Sequence, residues 1–433
     1  VGRLIMAPEQ KEFNRWVIVP FAILLQLGLG SIYSWGILKP DVKVDFDIND
    51  TQALLPFAFG LLFFSIAMVF GGWWQDRVGP RKVAITGSVT LSIGYFLSAL
   101  IFLLDEDTRQ DFFFLLVITY GVIGGCGIGL AYVTPIACLG KWFPDIKGLI
   151  NGLAVAGFGA GAFIFNIIFE YVNNGLGLMW TFLISAIVLC FLCIGGSVAL
   201  KNPPEGYKVP GWEPVDTSGK KIEVRHWTPS EVFKSGSYWL TWTQFFMSAI
   251  CGLMVIGNYK SYGATIDADF AEDAAAIVGG IAALFNGLGR ILWGKISDNL
   301  GRRKTMMIMF SLQAVLMILF ALIENKWVWV IIIQLIYFCF GGNFSLFPSQ
   351  TSDYFGTKYL GMVYGMVFTA YGVAGIAGSL VATPMLEAMN DSFVGYFLMF
   401  GVLSAVACIL AALTKKPAPP GEVKEAGTEL DVV

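Results

Sequence analysis

The sequence predicts an all-α membrane protein with twelve spanning helices in two related sets of six, and three observations carry that expectation. Of 433 residues, 56% are hydrophobic and 14% charged, whereas a soluble domain carries about 25% charged residues. Twelve apolar runs reach the roughly 20 residues that a helix needs to cross a bilayer. Finally, one polar motif occurs at the same place in each half of the chain.

The spans begin near Trp16, Leu54, Val83, Phe112, Gly148 and Gly177 in the amino half. In the carboxyl half they begin near Tyr238, Ala274, Thr305, Trp327, Gly361 and Phe393. Residues 1–200 therefore read as one bundle and 237–414 as a second. Residues 201–236, rich in Pro, Gly and charge, read as a linker that holds a short amphipathic helix over 229–234, and 415–433 read as a polar tail. Of the 28 lysines and arginines, 22 fall on the linker side and 5 on the other. Because basic residues accumulate in cytoplasmic loops, linker, tail and both termini are expected in the cytoplasm, with the protein multi-pass in an inner or plasma membrane. The polar stretch 7–15 leads straight into a full-length span, so the first helix is expected to direct insertion without a cleavable leader.

The remaining composition excludes other classes. Cys126, Cys138, Cys190, Cys193, Cys251, Cys339 and Cys408 sit almost entirely in apolar runs and read as small buried hydrophobes rather than disulfide partners or metal ligands. No metal or cofactor is expected. A net charge of −3 and the lack of a basic aromatic patch give no reason to expect a nucleic-acid partner. Nothing at a common depth pairs a nucleophile with a base, so an enzyme is not expected. The linker and tail are too short and polar for a receptor's binding module. The glycine-rich stretch 121–129 lies inside a span without a preceding strand, so it reads as close helix packing and not as a nucleotide loop.

The repeated motif follows the second and eighth spans. Gly72, Asp76, Gly79 and Arg81 recur as Gly294, Asp298, Gly301 and Arg303, with glycine and aspartate four residues apart in both halves, and each copy carries one further arginine, Arg77 in the first and Arg302 in the second. Glycines permit a tight turn and close helix approach, an aspartate can cap a neighbouring helix, and arginines suit anionic headgroups. A weaker repeat relates 143–152 to 355–365, each ending in GxxxG. The paired motif resembles the major facilitator superfamily over nearly the whole chain. That resemblance implies two pseudo-symmetric six-helix bundles around a central cavity that opens alternately to each side, in a protein expected to be monomeric.

One cation stands apart. Arg290 falls inside the eighth span, where an unpaired charge costs roughly 2.5 to 3.5 kcal/mol on the mildest scale and is usually functional. Snorkelling, or a pairing with Glu170, is the competing reading, but Glu170 falls near the external end of its span. At 1.5 Å per residue Arg290 lies roughly 12 Å, and Tyr371 roughly 15 Å, from the cytoplasmic end. Tyr132 and Phe344 reach similar depths, so the four can face one small cavity. Asn286, one turn before Arg290, shares its face. A guanidinium matches a carboxylate through two parallel hydrogen bonds, and Phe340, Phe344 and Phe368 supply an apolar wall. Tyr33 and Trp35 are further aromatic candidates, and Lys39 is a candidate cation near the external surface.

Local motifs resemble the oxalate and formate exchangers and, more distantly, the monocarboxylate transporters. They comprise Tyr33-Ser34-Trp35 with Lys39-Pro40, Lys141-Trp142-Phe143-Pro144-Asp145 with Lys147-Gly148, Phe285-Asn286-Gly287 with Arg290, and Leu346-Phe347-Pro348-Ser349 with Ser352-Asp353. The resemblance implies that Arg290 binds the substrate carboxylate within an aromatic cage of Tyr33, Tyr132, Phe340, Phe344 and Phe368. It also marks a departure, since Tyr371 stands where the oxalate carrier has a second cation, a lysine. A dianion needs two compensating charges in a low-dielectric cavity, so a monocarboxylate such as lactate, pyruvate, formate or acetate is expected over oxalate. Asn286 replaces the aspartate of proton-coupled animal carriers, which leaves proton symport and anion exchange both open. The alternatives are an oxalate/formate-type dicarboxylate exchanger, or another small-anion or drug carrier of the same fold.

Overall fold

The computed structural model describes residues 13–204, 206–210, 226–389 and 392–418. Twelve of its helices are long and apolar enough to span a bilayer: α1 Arg15–Asp45, α2 Thr51–Val78, α3 Pro80–Ile101, α4 Phe113–Trp142, α5 Lys147–Leu176 and α6 Leu178–Ser197, then α7 Gly236–Lys260, α8 Ile277–Leu300, α9 Arg302–Ala321, α10 Lys326–Phe355, α11 Leu360–Gly378 and α12 Phe393–Leu413. By these bounds each starts within three residues of its sequence expectation, and the helix that carries α8 itself begins at Ala268, six residues before the expected Ala274. The largest offsets arise because hydropathy misses a polar first turn, as in α9, which opens on Arg302, Arg303 and Lys304. Among the described residues there is no strand. The expected amphipathic helix is the single turn Pro229–Phe233, closed by a capping box between Thr228 and Glu231. Residues 211–225 of the linker, 419–433 of the tail and 1–12 of the N-terminus lie outside the described residues.

Large hydrophobic side chains such as Phe70 and Phe191 cover the outer surface, as lipid solvation allows. Inside, backbones approach through glycines. A Cβ on Gly129 would stand 2.2 Å from the Phe64 carbonyl, and one on Gly127 2.3 Å from the Leu91 nitrogen. The glycine run of α4 is thus the seam that receives α2 and α3. Two further seams join the halves, α2 against α11 and α5 against α8.

These two seams bring the sequence repeats together crosswise. Gly72 meets Gly361, the first glycine of the GxxxG on α11, and Gly294 meets Gly148, the first glycine of the GxxxG on α5. Gly79 and Gly301 end α2 and α8 at φ 87° and 88°, a region that only glycine enters without strain. The same end of the molecule, here termed the motif end, carries both turns.

Candidate functional site

Arg290 is held by its own backbone before its side chain is considered. On α8, a Cβ at Gly289 would lie 2.1 Å from the Phe338 carbonyl of α10, and one at Gly152 of α5 lies 2.2 Å from the Arg290 carbonyl. Clamped on two sides, the arginine points into the middle of the bundle with 0% exposure. Its Nε donates to Asn286 Oδ1 at 3.1 Å and its Nη1 to the Val155 carbonyl at 2.8 Å. The guanidinium carbon lies 4.3 Å from the centre of the Phe344 ring and 5.3 Å from that of Phe158, and such faces attract a cation. Among the described residues no carboxylate pairs with it, and Nη2 is buried without an acceptor. Glu170 is exposed.

Rings close around this charge. Phe344 contacts Tyr371 at 5.3 Å, Phe368 contacts Tyr371 at 5.0 Å and Tyr132 at 5.4 Å, and Tyr33 stands edge-on to Phe158 at 5.1 Å. The Tyr33 hydroxyl of α1 hydrogen-bonds the Tyr371 hydroxyl of α11 across the halves. Arg290, Asn286, Tyr33, Tyr132, Tyr371, Phe344 and Phe368 therefore share one packed aromatic cluster, here termed the chamber. Phe340 stands one ring behind it, edge-on to Phe344 at 5.3 Å and flat against Gly252 of α7. Trp35 lies elsewhere: its Nε1 donates to the Ala53 carbonyl at 2.9 Å and its ring packs on Tyr120. Lys39 is partly buried towards the end opposite the motifs.

The structure adds Phe64, Phe158, Phe245 and Tyr364 to the chamber. Phe158 touches Tyr33, Tyr132 and Phe64, Phe245 of α7 lies against Phe344, Phe368 and Tyr371, and Tyr364 meets Phe368 at 5.7 Å. A signal for Tyr364 existed, because it sits four residues before Phe368 and shares its helix face. The phenylalanines had none among 36 in the chain.

At the motif end Asp298 accepts from the Gly148 and Leu149 amides at 2.8 Å each, capping α5. Arg302 bridges Asp298 at 2.7 Å and Asp353 at 2.9 Å, and Asp353 accepts from Lys147 at 2.8 Å. Asp76 pairs with Lys141 at 3.3 Å. Arg303 donates to the Ala412 carbonyl at the end of α12. Arg77 and Arg81 are exposed and take no part in these contacts, Arg77 lying over Trp73 at 3.9 Å. Arg77 directly follows Asp76, so helical rotation turns it from the seam to the outer face.

Residues 21–379 and 260–431 match the model of the Major Facilitator Superfamily. The chain is 28% identical over 404 residues to the oxalate:formate antiporter of Oxalobacter formigenes, covering 92% of this chain and 91% of that protein. It is 27% identical over 364 residues to apicoplast pyruvate carrier 1 of Toxoplasma gondii, covering 70% of this chain and 64% of that one. Its fold is similar to the crystal structure of the human organic anion transporter MFSD10 (TETRAN), with a TM-score of 0.69 at 15% identity, covering 92% of this chain and 100% of that chain.

Proposed function

The chain belongs to the Major Facilitator Superfamily and is a multi-pass membrane transporter rather than an enzyme, and from that premise we propose that it carries a small monocarboxylate by alternating access. The observation that carries the proposal is Arg290: a buried guanidinium with no carboxylate beside it among the described residues and with Nη2 open. A small acid supplies the missing charge and the missing acceptor together. The reading is supported by similarity to proteins named an oxalate:formate antiporter and a pyruvate carrier. Phenol Tyr371 contributes no second positive charge, so a monoanion is balanced here and a dianion is not.

The cycle follows from where Arg290 is tied. Its Nη1 bond to Val155 crosses the seam between α8 and α5, so a carboxylate that takes the guanidinium competes with a contact holding the halves together. A neutralised Arg290 also moves through the closed state at lower cost than a bare one. Loaded carriers therefore reorient faster than empty ones, which favours exchange, or uptake with a proton accepted elsewhere. In this proposal 1–200 and 237–414 are the two rocking bundles, joined by 201–236, and the motif end faces the cytoplasm together with the tail 415–433.

Counterflow of labelled one- to four-carbon acids into proteoliposomes, with and without a pH gradient, tests substrate and coupling together. Replacing Arg290→Gln is expected to lower monocarboxylate flux by at least about a hundredfold, since removing one partner of a buried charged contact costs roughly 3 kcal/mol or more. Undiminished flux would sink the assignment. Tyr371→Lys is expected to gain oxalate binding, and no gain would defeat the one-charge argument.

A further inference from the structure

Spans α1 and α4 each leave α-helical winding partway along, and they do so where they touch. Span α1 winds as an α-helix over Ile18–Leu29, as a 3₁₀-helix over Gly30–Ser34 and as an α-helix again over Trp35–Asp45. Span α4 contains a π-helical segment, Val117–Gly124. A 3₁₀ stretch inside a helix marks a hinge or strain and rarely exceeds three or four residues, and π segments concentrate at functional sites. Gly30–Ser34 is five residues long. It holds Tyr33, the phenol that meets Tyr371 and lies within hydrogen-bonding reach of Arg290. At three residues per turn instead of 3.6, five residues wind about 100° further and run about 2.5 Å longer than in an α-helix. The overwound stretch thus decides where Tyr33 points.

Three other helices hold that winding. A Cβ on Gly30 would stand 2.1 Å from the Phe158 carbonyl of α5, and Ser34 Oγ donates to the Ala162 carbonyl of the same helix at 3.2 Å. The Tyr95 hydroxyl of α3 donates to Ser31 Oγ at 3.1 Å. From the π segment of α4, the Tyr120 hydroxyl donates to the Ile32 carbonyl at 3.4 Å. The two phenols also lie within hydrogen-bonding reach of each other, with ring centres 5.3 Å apart, and Tyr120 packs on Trp35 at 4.6 Å. Ile32 O already accepts from the Trp35 amide three residues on, a bond of poorer geometry than its α-helical counterpart. Of these hydrogen bonds, the one from Tyr120 grips the main chain of the overwound stretch itself.

We infer that Tyr120 is a positioning residue that holds Gly30–Ser34 overwound and so keeps Tyr33 turned into the chamber against Tyr371 and the substrate. The inference rests, through Tyr33, on the transport site proposed above, and it names the device that sets that residue. Strained backbone persists only where the surroundings over-determine it, and here α3, α4 and α5 do so together. Relaxed to α-helical winding, the stretch would swing Tyr33 away from Tyr371 and part a bond that joins the halves across the chamber.

Hydrogen–deuterium exchange of the full chain in nanodiscs reads the winding without any substrate. Tyr120→Phe, which keeps the ring, is expected to speed exchange of the 30–34 amides about fivefold, the worth of one hydrogen bond, and to leave 18–29 unchanged. Unaltered exchange at 30–34 overturns the inference. Counterflow of labelled pyruvate, lactate, formate and acetate in proteoliposomes then reads what the winding does. Tyr33→Phe and Tyr120→Phe are each expected to lower flux about fivefold, and the double variant no further than Tyr33→Phe alone, because Tyr120 acts through Tyr33. Losses that multiply in the double variant, to about twenty-five-fold, are those of two independent residues and overturn the positioning role. Full flux in Tyr33→Phe overturns it too, since Tyr120 then has nothing to act through. If the unmodified protein moves none of the four acids, the monocarboxylate reading falls, and the exchange measurement alone decides the inference.

Discussion

The seams α5–α8 and α2–α11 carry the same motif and are held by different physics. On the first, Asp298 uses both oxygens on the amides of Gly148 and Leu149, and beside it α5 reaches α10 across the halves through the Lys147–Asp353 ion pair and an Asn151–Ser349 hydrogen bond of 3.0 Å. On the second, the ion pair of Asp76 is with Lys141 inside the amino half, and Asp76 Oδ2 is buried without a hydrogen-bond partner although the Met362 amide is near. One position accounts for much of the difference. Four residues after the aspartate stands Arg302 in the carboxyl half and Pro80 in the amino half. The glycine turns, at φ 87° and 88°, are copies of each other. The repeat therefore preserves backbone geometry and docking glycines, while charge makes one seam an ionic latch and leaves the other to packing.

The largest test of this contrast places a methyl group in each seam. At Gly148 the added Cβ meets the Gly294 carbonyl at 2.2 Å, with Arg302 Nη1 and Asp298 Oδ1 also under 3.0 Å. At Gly361 it first meets the movable end of Gln75 at 2.3 Å, with backbone no nearer than 3.0 Å. Gly148→Ala is expected to cut counterflow by more than about tenfold and Gly361→Ala by about threefold, because overpacking is costly where rigid backbone must yield. Equal losses would break the comparison. Next in size, Asp298→Asn should reduce counterflow roughly tenfold and Asp76→Asn roughly twofold, since breaking a charge whose hydrogen bonds are all made costs most; the reverse order would show the α2–α11 seam to be the stronger.

The smallest effect concerns pH. His226 accepts a 3.4 Å hydrogen bond from the Lys358 amide at the motif end. Burial, then Lys358 and Lys147, hold its pKa below the usual 6.5. The native state thus favours neutral imidazole, the unfolded chain binds the proton first, and stability falls as pH drops below 6.5. Thermal unfolding between about pH 7.5 and about pH 5.5 should show a drop that is smaller in His226→Gln. An identical drop in both would remove His226 as a contributor.

Much of the fold was legible because membrane spans announce themselves locally. Twelve apolar runs and the positions of glycine and aspartate needed no partner to be read, and the depth of Arg290 followed from counting residues. The crosswise docking of each motif on the other half's GxxxG was not legible, since neither repeat names its partner. Nor were Phe64, Phe158 and Phe245, because in a chain that is 15% aromatic ring type does not distinguish a chamber wall from a lipid-facing surface. Arg77 and Arg81 show the same limit from the other side: they belong to the motif, and helical phase turns them outward.

Sequence alone determined the class, the number of spans and the mid-span cation Arg290, because hydrophobicity, helix length and charge act residue by residue. Only the tertiary structure decided which groups surround that cation and which are left without partners. Val155 and Arg290 are 135 residues apart, and Tyr33 and Tyr371 are 338 apart. A hydrogen bond depends on position to within a few tenths of an ångström, and that position is set by how distant helices pack, which no local pattern encodes.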